Sequence, residues 1–230
     1  MSTPLFIDIH THNHILSEYS IFVQNIFIQD ILTIKEKKYK NCSVGLHPWH
    51  IDLNNWNSDL TELEKLIPTK KNIIAIGETG LDRLKGPPLQ DQQYVFQKHL
   101  EISKKFKLPV IIHCVKAWGE LLQIHAEVNP SQPWIVHGFN QNLKIANQLL
   151  QKKIFLSFGK ALLNENSNAS IVFPSIPLEC IFLETDDSDF TIREIYERAA
   201  FLSNVSIEKL SLKIQHNFNE IFTPATKTYI

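Results

Sequence analysis

Short apolar runs alternate with amphipathic stretches along the whole chain. The runs Leu5–Ile9, Ile21–Ile28, Ser43–Leu46, Ile73–Ile76, Val110–Ile112, Trp134–Val136, Ile154–Phe158 and Ile181–Leu183 carry almost no charge on either face. That is the pattern of strands buried on both sides. Between the later runs, apolar residues recur at helical spacing over Leu60–Leu66, Gln90–Phe106, Glu120–Glu127, Leu143–Lys152 and Ile192–Leu202, and a last helix is predicted over roughly Ser206–Phe222. Strands alternating with helices in this way predict an α/β fold of the TIM-type (β/α) barrel kind. A doubly wound open sheet shares the local pattern and is the alternative. Only the stretch Ile15–Ser20 separates the first two strands. A parallel crossover takes about a dozen residues or more, so the barrel is expected to lack its first outer helix.

The 230 residues, 43% of them hydrophobic, suffice for one barrel domain spanning 1–230. No low-complexity segment, linker or internal repeat interrupts them. Net charge is −1, and the only arginines are Arg83, Arg193 and Arg198. That argues against a tight, nonspecific nucleic-acid binder working through a basic surplus, though not against transient contact with a nucleic-acid substrate. Three scattered cysteines, Cys42, Cys114 and Cys180, argue against a disulfide framework and fit a reducing cytosol. Met1–Ile7 lacks the basic start and apolar run of a signal peptide, and no apolar stretch reaches the length of a membrane span. The expectation is a cytoplasmic protein with no membrane partner; oligomeric state leaves no mark in the pattern.

The polar residues at the strand ends change the picture most. In Asp8-Ile9-His10-Thr11-His12, strand alternation points Asp8, His10 and His12 the same way. Two imidazoles on one face can chelate a metal; a histidine-rich strand end with no ligand role is the plainer alternative. The placement recurs: Glu78 follows the Ile73 strand, His113 ends the Val110 strand, His137 ends the Trp134 strand, and Asp186 follows the Ile181 strand. Barrel enzymes put their reacting groups at the C-terminal ends of strands. Four imidazoles and two carboxylates meeting there would suit two divalent ions of the Zn²⁺, Mn²⁺ or Mg²⁺ kind.

The ordered set of motifs is specific. It comprises Asp8-Ile-His-Thr-His12, Gly45-Leu-His-Pro48, Ile76-Gly-Glu-Thr-Gly-Leu-Asp82, Leu108-Pro-Val-Ile-Ile-His113, the His137-Gly-Phe139 turn, Glu184-Thr-Asp186, and Asn217 shortly before Ile221-Phe222. With them the chain resembles, over nearly its whole length, the TatD family of metal-dependent deoxyribonucleases among the amidohydrolase-like barrels. The resemblance implies that His10, His12 and Asp186 hold one metal, that His113 and His137 hold the other, and that Glu78 bridges them. It implies that Asp186 orients or deprotonates the attacking water, that Asp8 backs a histidine ligand, and that His47 and Lys116 lie near the substrate. The expected activity is hydrolysis of phosphodiester bonds in transiently bound single-stranded DNA or oligonucleotides. A small-molecule amidohydrolase or lactonase, and an inactive metal-binding protein, are the alternatives.

Departures from the family pattern fall on substrate contacts. Val115 stands where an arginine is common, Asp187-Ser188-Asp189 replaces a Ser-Pro ending, and Gly138 replaces a cysteine. Fewer arginines and more carboxylates weaken attraction for a phosphate chain unless lysines such as Lys116 offset them. Trp49, Trp118 and Trp134 are candidates for base stacking or for the core. His99, His125 and His216 fall in helical patterns, which points to surface or core-edge roles.

Overall fold

The structure, a computed structural model, describes residues 5–12, 20–33 and 39–222. Eight parallel strands pair in chain order. They are β1 (Phe6–Thr11), β2 (Ser20–Phe27), β3 (Cys42–Gly45), β4 (Ile73–Asp82), β5 (Val110–Val115), β6 (Trp134–Val136), β7 (Phe155–Phe158) and β8 (Ile181–Leu183). A parallel bridge between Thr11 and Asp186 brings the last strand back to the first. This curls the sheet into a barrel and excludes the doubly wound alternative. Around it lie α1 (Trp56–Leu66), α2 (Leu89–Phe106), α3 (Trp118–Val128), α4 (Leu143–Gln151), α5 (Asn168–Val172), α6 (Ile192–Ser203) and α7 (Ile207–Phe222). The expected missing helix between β1 and β2 falls on residues 13–19, outside the described part. Between β2 and β3 the described chain forms a 3-10 turn, Ile28–Thr33.

The helices end where local chemistry stops them. Helix α6 opens with a capping box in which Thr191 and Glu194 satisfy each other's backbone donors, and closes on Asn204 in the left-handed region. Helix α2 likewise ends on left-handed Lys107. Along α7, Leu210, Ile214, Phe218 and Phe222 recur every fourth residue and are buried. The short α5 was not foreseen: five residues carry too little periodicity to register.

The β1–β8 seam is only partly sewn by main chain. At the mouth, Asp186 N donates to His10 O (2.9 Å) and His12 N to Asp186 O (3.0 Å). Deeper in, side chains substitute for a strand partner. The buried Tyr196 hydroxyl of α6 accepts from Ile7 N (3.0 Å) and donates to Ile7 O (3.1 Å). From α7, Ser211 Oγ and Gln215 Nε2 donate to Leu5 O at 2.6 and 3.0 Å, and Asn217 Nδ2 donates to Ile181 O at 3.0 Å. Removing the Tyr196 hydroxyl leaves a buried donor and acceptor unpaired, each costing about 1–3 kcal/mol. Tyr196→Phe is therefore expected to lower stability by about 2 kcal/mol or more in urea unfolding and to speed hydrogen exchange at the Ile7 amide. An unchanged midpoint would show the seam to be held otherwise.

Candidate metal centre

At the mouth, β1 places the fully buried His10, and His12 follows just past its end at the solvent edge. Strand β4 supplies Glu78 from mid-strand rather than from its end. Its pairing with β5 shifts register between Ile76 and Thr79, and the strand then runs on to Asp82. Such a bulge turns a side chain out of the regular alternation. Asn25 of β2 holds the spot, its Oδ1 accepting from Glu78 N at 2.8 Å. Strand β5 likewise continues past His113 to Val115. His137 follows β6, and Asp186 follows β8 with φ +55°. Aspartate tolerates that left-handed conformation better than most residues.

Glu78 sits at the centre of this arrangement. Its Oε2 lies 3.3 Å from His10 Nε2 and 3.5 Å from His12 Nε2. Its Oε1 lies 2.8 Å from His113 Nδ1, 2.8 Å from His137 Nε2 and 3.0 Å from His47 Nε2. Asp186 Oδ1 stands 3.6 Å from His10 Nε2 and 3.5 Å from His12 Nε2. All six residues expected as metal ligands are thus gathered within one small volume, and His47 joins them.

What stands on the far side of the His113, His137 and His47 rings separates their roles. Asp82 Oδ2 lies 3.2 Å from His113 Nε2, so it can accept that N–H and leave the Nδ1 lone pair facing Glu78. Glu184 Oε1 stands 3.5 Å from His137 Nδ1, an ion-pair distance, and that buried nitrogen has no hydrogen-bond partner among the described residues. His47 is the opposite case. Its Nδ1 accepts from Trp49 N (3.1 Å), so a neutral ring carries its proton on Nε2 and donates to Glu78. In that tautomer His47 is a donor aimed into the site, not a lone pair. Asp8, expected beside an imidazole, instead accepts from Thr185 Oγ1 (2.6 Å), Thr185 N (3.1 Å) and His10 N (3.4 Å). It braces the backbone at the seam, because its strand position faces the Thr185 loop.

Burial alone would raise the Glu78 carboxyl, but His137, His10, His113 and His12 outweigh it and hold it well below the usual carboxylate range. Burial would likewise depress His137, but the Glu78 and Glu184 charges raise it well above the ordinary histidine value. At His47 burial prevails over Glu78 and pushes the ring down, in keeping with a neutral donor. Asp8, wholly buried, is pushed up to about 7 by desolvation in spite of its Thr185 bonds.

The donor set fits divalent ions. Four ring nitrogens, counting neither His47 nor the groups behind the rings, converge with two carboxylates. Both ring nitrogens of buried His10 lack a hydrogen-bond partner among the described residues. Such orphaned atoms are costly unless a ligand takes them up. His10, His12 and Asp186 present donor atoms all within 4.8 Å of one another, as do His10, Glu78 and His137.

Of the substrate candidates, His47 is in the cluster. Lys116 lies exposed at the rim, its carbonyl accepting from Arg83 Nε at 2.9 Å. Arg83 thus occupies the neighbourhood left by Val115, but it is ion-paired with Glu120. The extra acid Asp187 is matched by Lys160 at 2.6 Å rather than by Lys116. Asp82, Glu184 and Asn25 had not been singled out. The first two stood inside the quoted motifs, and Asn25 broke an apolar run. His99, expected at a surface or core edge, is fully buried. Its Nε2 accepts from Leu46 N (3.0 Å) beside His47, and desolvation lowers its pKa to about 4.

A parallel barrel that gathers imidazoles and carboxylates around one shared carboxylate has the make-up of a metal-dependent hydrolase. The family model described as "TatD related DNase" matches residues 20–223, and the chain belongs to that family. An uncharacterized metal-dependent hydrolase of Buchnera aphidicola is 28% identical over 229 residues, covering 92% of this chain and 84% of its own. A Pantoea ananatis protein named 3'-5' ssDNA/RNA exonuclease TatD is 24% identical over 201 residues, covering 78% and 76%. Among solved structures, the TatD homologue YJJV of Escherichia coli superposes with a TM-score of 0.80 at 20% identity, covering 94% of this chain and 97% of that one. At that identity the likeness speaks for the fold. No described helix is long and apolar enough to cross a membrane.

Proposed function

We propose that the protein is a cytoplasmic phosphodiesterase that shortens single-stranded DNA or oligonucleotides, using two divalent ions of the Zn²⁺, Mn²⁺ or Mg²⁺ kind. The observation that carries this reading is the division of labour at Glu78. One oxygen faces His10 and His12, and the other faces His113 and His137. Asp186 completes the first group, so that set would hold one ion, the second pair the other, and Glu78 would be shared. Ions bound there supply Lewis acidity toward a phosphoryl oxygen and make water a stronger nucleophile near neutral pH.

The chain's own residues do the rest. Asp186, a quarter exposed at the mouth beside His12, is the carboxylate of the first set, and there it orients the attacking water and takes its proton. His47 presents an N–H that, turned from Glu78, stabilises charge developing on the substrate. Asp82 fixes the tautomer of His113, and the Glu184 charge stands behind His137. The Lys160–Asp187 pair removes one local repulsion for a polyanion.

The test is a paired assay with purified protein, added metal and low salt. One arm offers end-labelled single-stranded DNA, the other small esters, amides and lactones. Metal-dependent shortening of DNA that stops on chelation is expected. Turnover in the second arm alone would move the assignment to a small-molecule amidohydrolase.

A further inference from the structure

Of the three tryptophans that could stack on a base, Trp134 is core and Trp118 is half-buried against Phe139. Trp49 alone is substantially exposed at the mouth, at 40%. It sits in the 3-10 turn Pro48–His50, with ring centroids 4.7 Å from His47 and 5.6 Å from His113. Its indole N–H is committed to Asp82 Oδ2 at 2.6 Å, which fixes the plane of the ring. Lys85 Nζ lies 3.5 Å from the ring centroid, and no carboxylate pairs with it among the described residues.

The loop that carries Lys85 is built, not loose. Buried Gln92 accepts from Asp82 N and donates to the carbonyls of Asp82, Lys85 and Pro87 at 2.7–3.0 Å. Gly86, with φ +89°, lets the loop close on the tryptophan turn: a Cβ there would meet Pro48 O at 2.5 Å. An aromatic face and a cation are therefore held together one ring away from the candidate metal centre.

We propose that Trp49 and Lys85 form the subsite for the nucleotide adjoining the scissile phosphate, the indole stacking on its base and the ammonium pairing with its phosphate. This rests on the single-stranded nucleic-acid reading above. A base stacked on an aromatic ring is worth roughly 5- to 150-fold in affinity. An exposed cation–π contact is worth only about two- to five-fold. An arriving base therefore displaces the ammonium from the ring, onto the phosphate the base brings with it. Stacking reads no base edge, so the subsite is indifferent to sequence, and Lys85 supplies a cation that the Val115 position lacks.

The experiment measures binding and turnover separately on the Mn²⁺-loaded protein. Binding is read by fluorescence anisotropy with a labelled phosphorothioate dT hexamer and with an abasic sugar-phosphate hexamer. Trp49→Leu is expected to weaken dT binding about ten-fold or more and to leave the abasic oligomer unchanged. Trp49→Phe, which keeps a ring but loses the bond to Asp82, should stay within about three-fold of wild type. Lys85→Gln should reduce the salt slope of binding by about 0.7, one phosphate contact on a single strand. Wild-type-like dT binding by Trp49→Leu, equal losses in both tryptophan variants, equal binding of abasic and dT oligomers, or no oligonucleotide binding at all would each overturn the subsite. Binding that follows this pattern without cleavage of phosphodiester dT would leave the subsite standing and overturn the nuclease reading. Cleavage that is blind to Trp49→Leu would do the reverse.

Discussion

Asp186→Asn is expected to lower turnover by about 10²–10⁴-fold, the range a positioned general base contributes, with the fold preserved. Two features of the residue lead to this outcome. Its carboxylate stands within 3.6 Å of both His10 Nε2 and His12 Nε2, so the change would take away both the metal-binding oxygen and the proton acceptor of the proposed mechanism. Its backbone sits at φ +55°, which asparagine adopts as readily, so the loop after β8 keeps its shape. The main-chain bonds of Asp186 to β1 do not involve the side chain and survive. The check is kcat at saturating metal beside the thermal midpoint of the same preparation. A variant with an unchanged midpoint and full activity would remove Asp186 from the mechanism.

Of the glycine-to-alanine changes in this chain, Gly80→Ala should cost the most stability. Residue 80 lies on β4 at φ +145°, and a Cβ there would stand 2.1 Å from the backbone oxygen of His113. No side-chain rotation relieves a clash with main chain, so β4 and β5 must part beside Glu78 and His113. Effects of this kind reach about 4 kcal/mol or more, to be read as a fall in the urea midpoint. Weaker metal uptake by calorimetry should accompany it. Gly119→Ala is the control: it lies in α3, and a Cβ there meets nothing within 4 Å. Its stability should hold or rise by up to about 1 kcal/mol. Equal midpoints for the two variants would refute the packing argument.

Much of the barrel was legible because most of its strands are buried on both faces. An uninterrupted apolar run bounded by polar residues marks such a strand: the runs at Trp134 and Ile181 match β6 and β8 residue for residue. Beyond its apolar core, a strand is held by pairing rather than by hydrophobicity. This is why β4 and β5 run on through Glu78 and His113, which had been placed at strand ends. The gathering of His10, His12, Glu78, His113, His137 and Asp186 was legible for a related reason: strand ends in a barrel face one mouth, whatever their separation in sequence.

Partners behind the rings were not legible. Whether Asp8 or Asp82 backs a histidine depends on a turn of a few ångströms that period-two alternation does not encode. His99 shows the same limit. Its helical position looked like a core edge, but the backbone N–H of Leu46 approaches it across 53 residues of sequence and gives a buried imidazole its partner.

The incompletely sewn seam between β1 and β8 bears on how the enzyme would lose and regain activity. An ion held by His10 and His12 on one side and Asp186 on the other would act as a rivet through the joint that, among the described residues, lacks a strand ladder. Whatever binds the folded chain more tightly than the unfolded one stabilises it in proportion to the logarithm of its concentration over Kd. That stabilisation would fall first on this joint. Metal starvation would then be felt as breathing of the wall between β1 and β8, while β4 to β6 stayed shut. Being closed and being loaded would become one condition, and an empty enzyme would be marked by its loosened edge for refilling or for proteolysis.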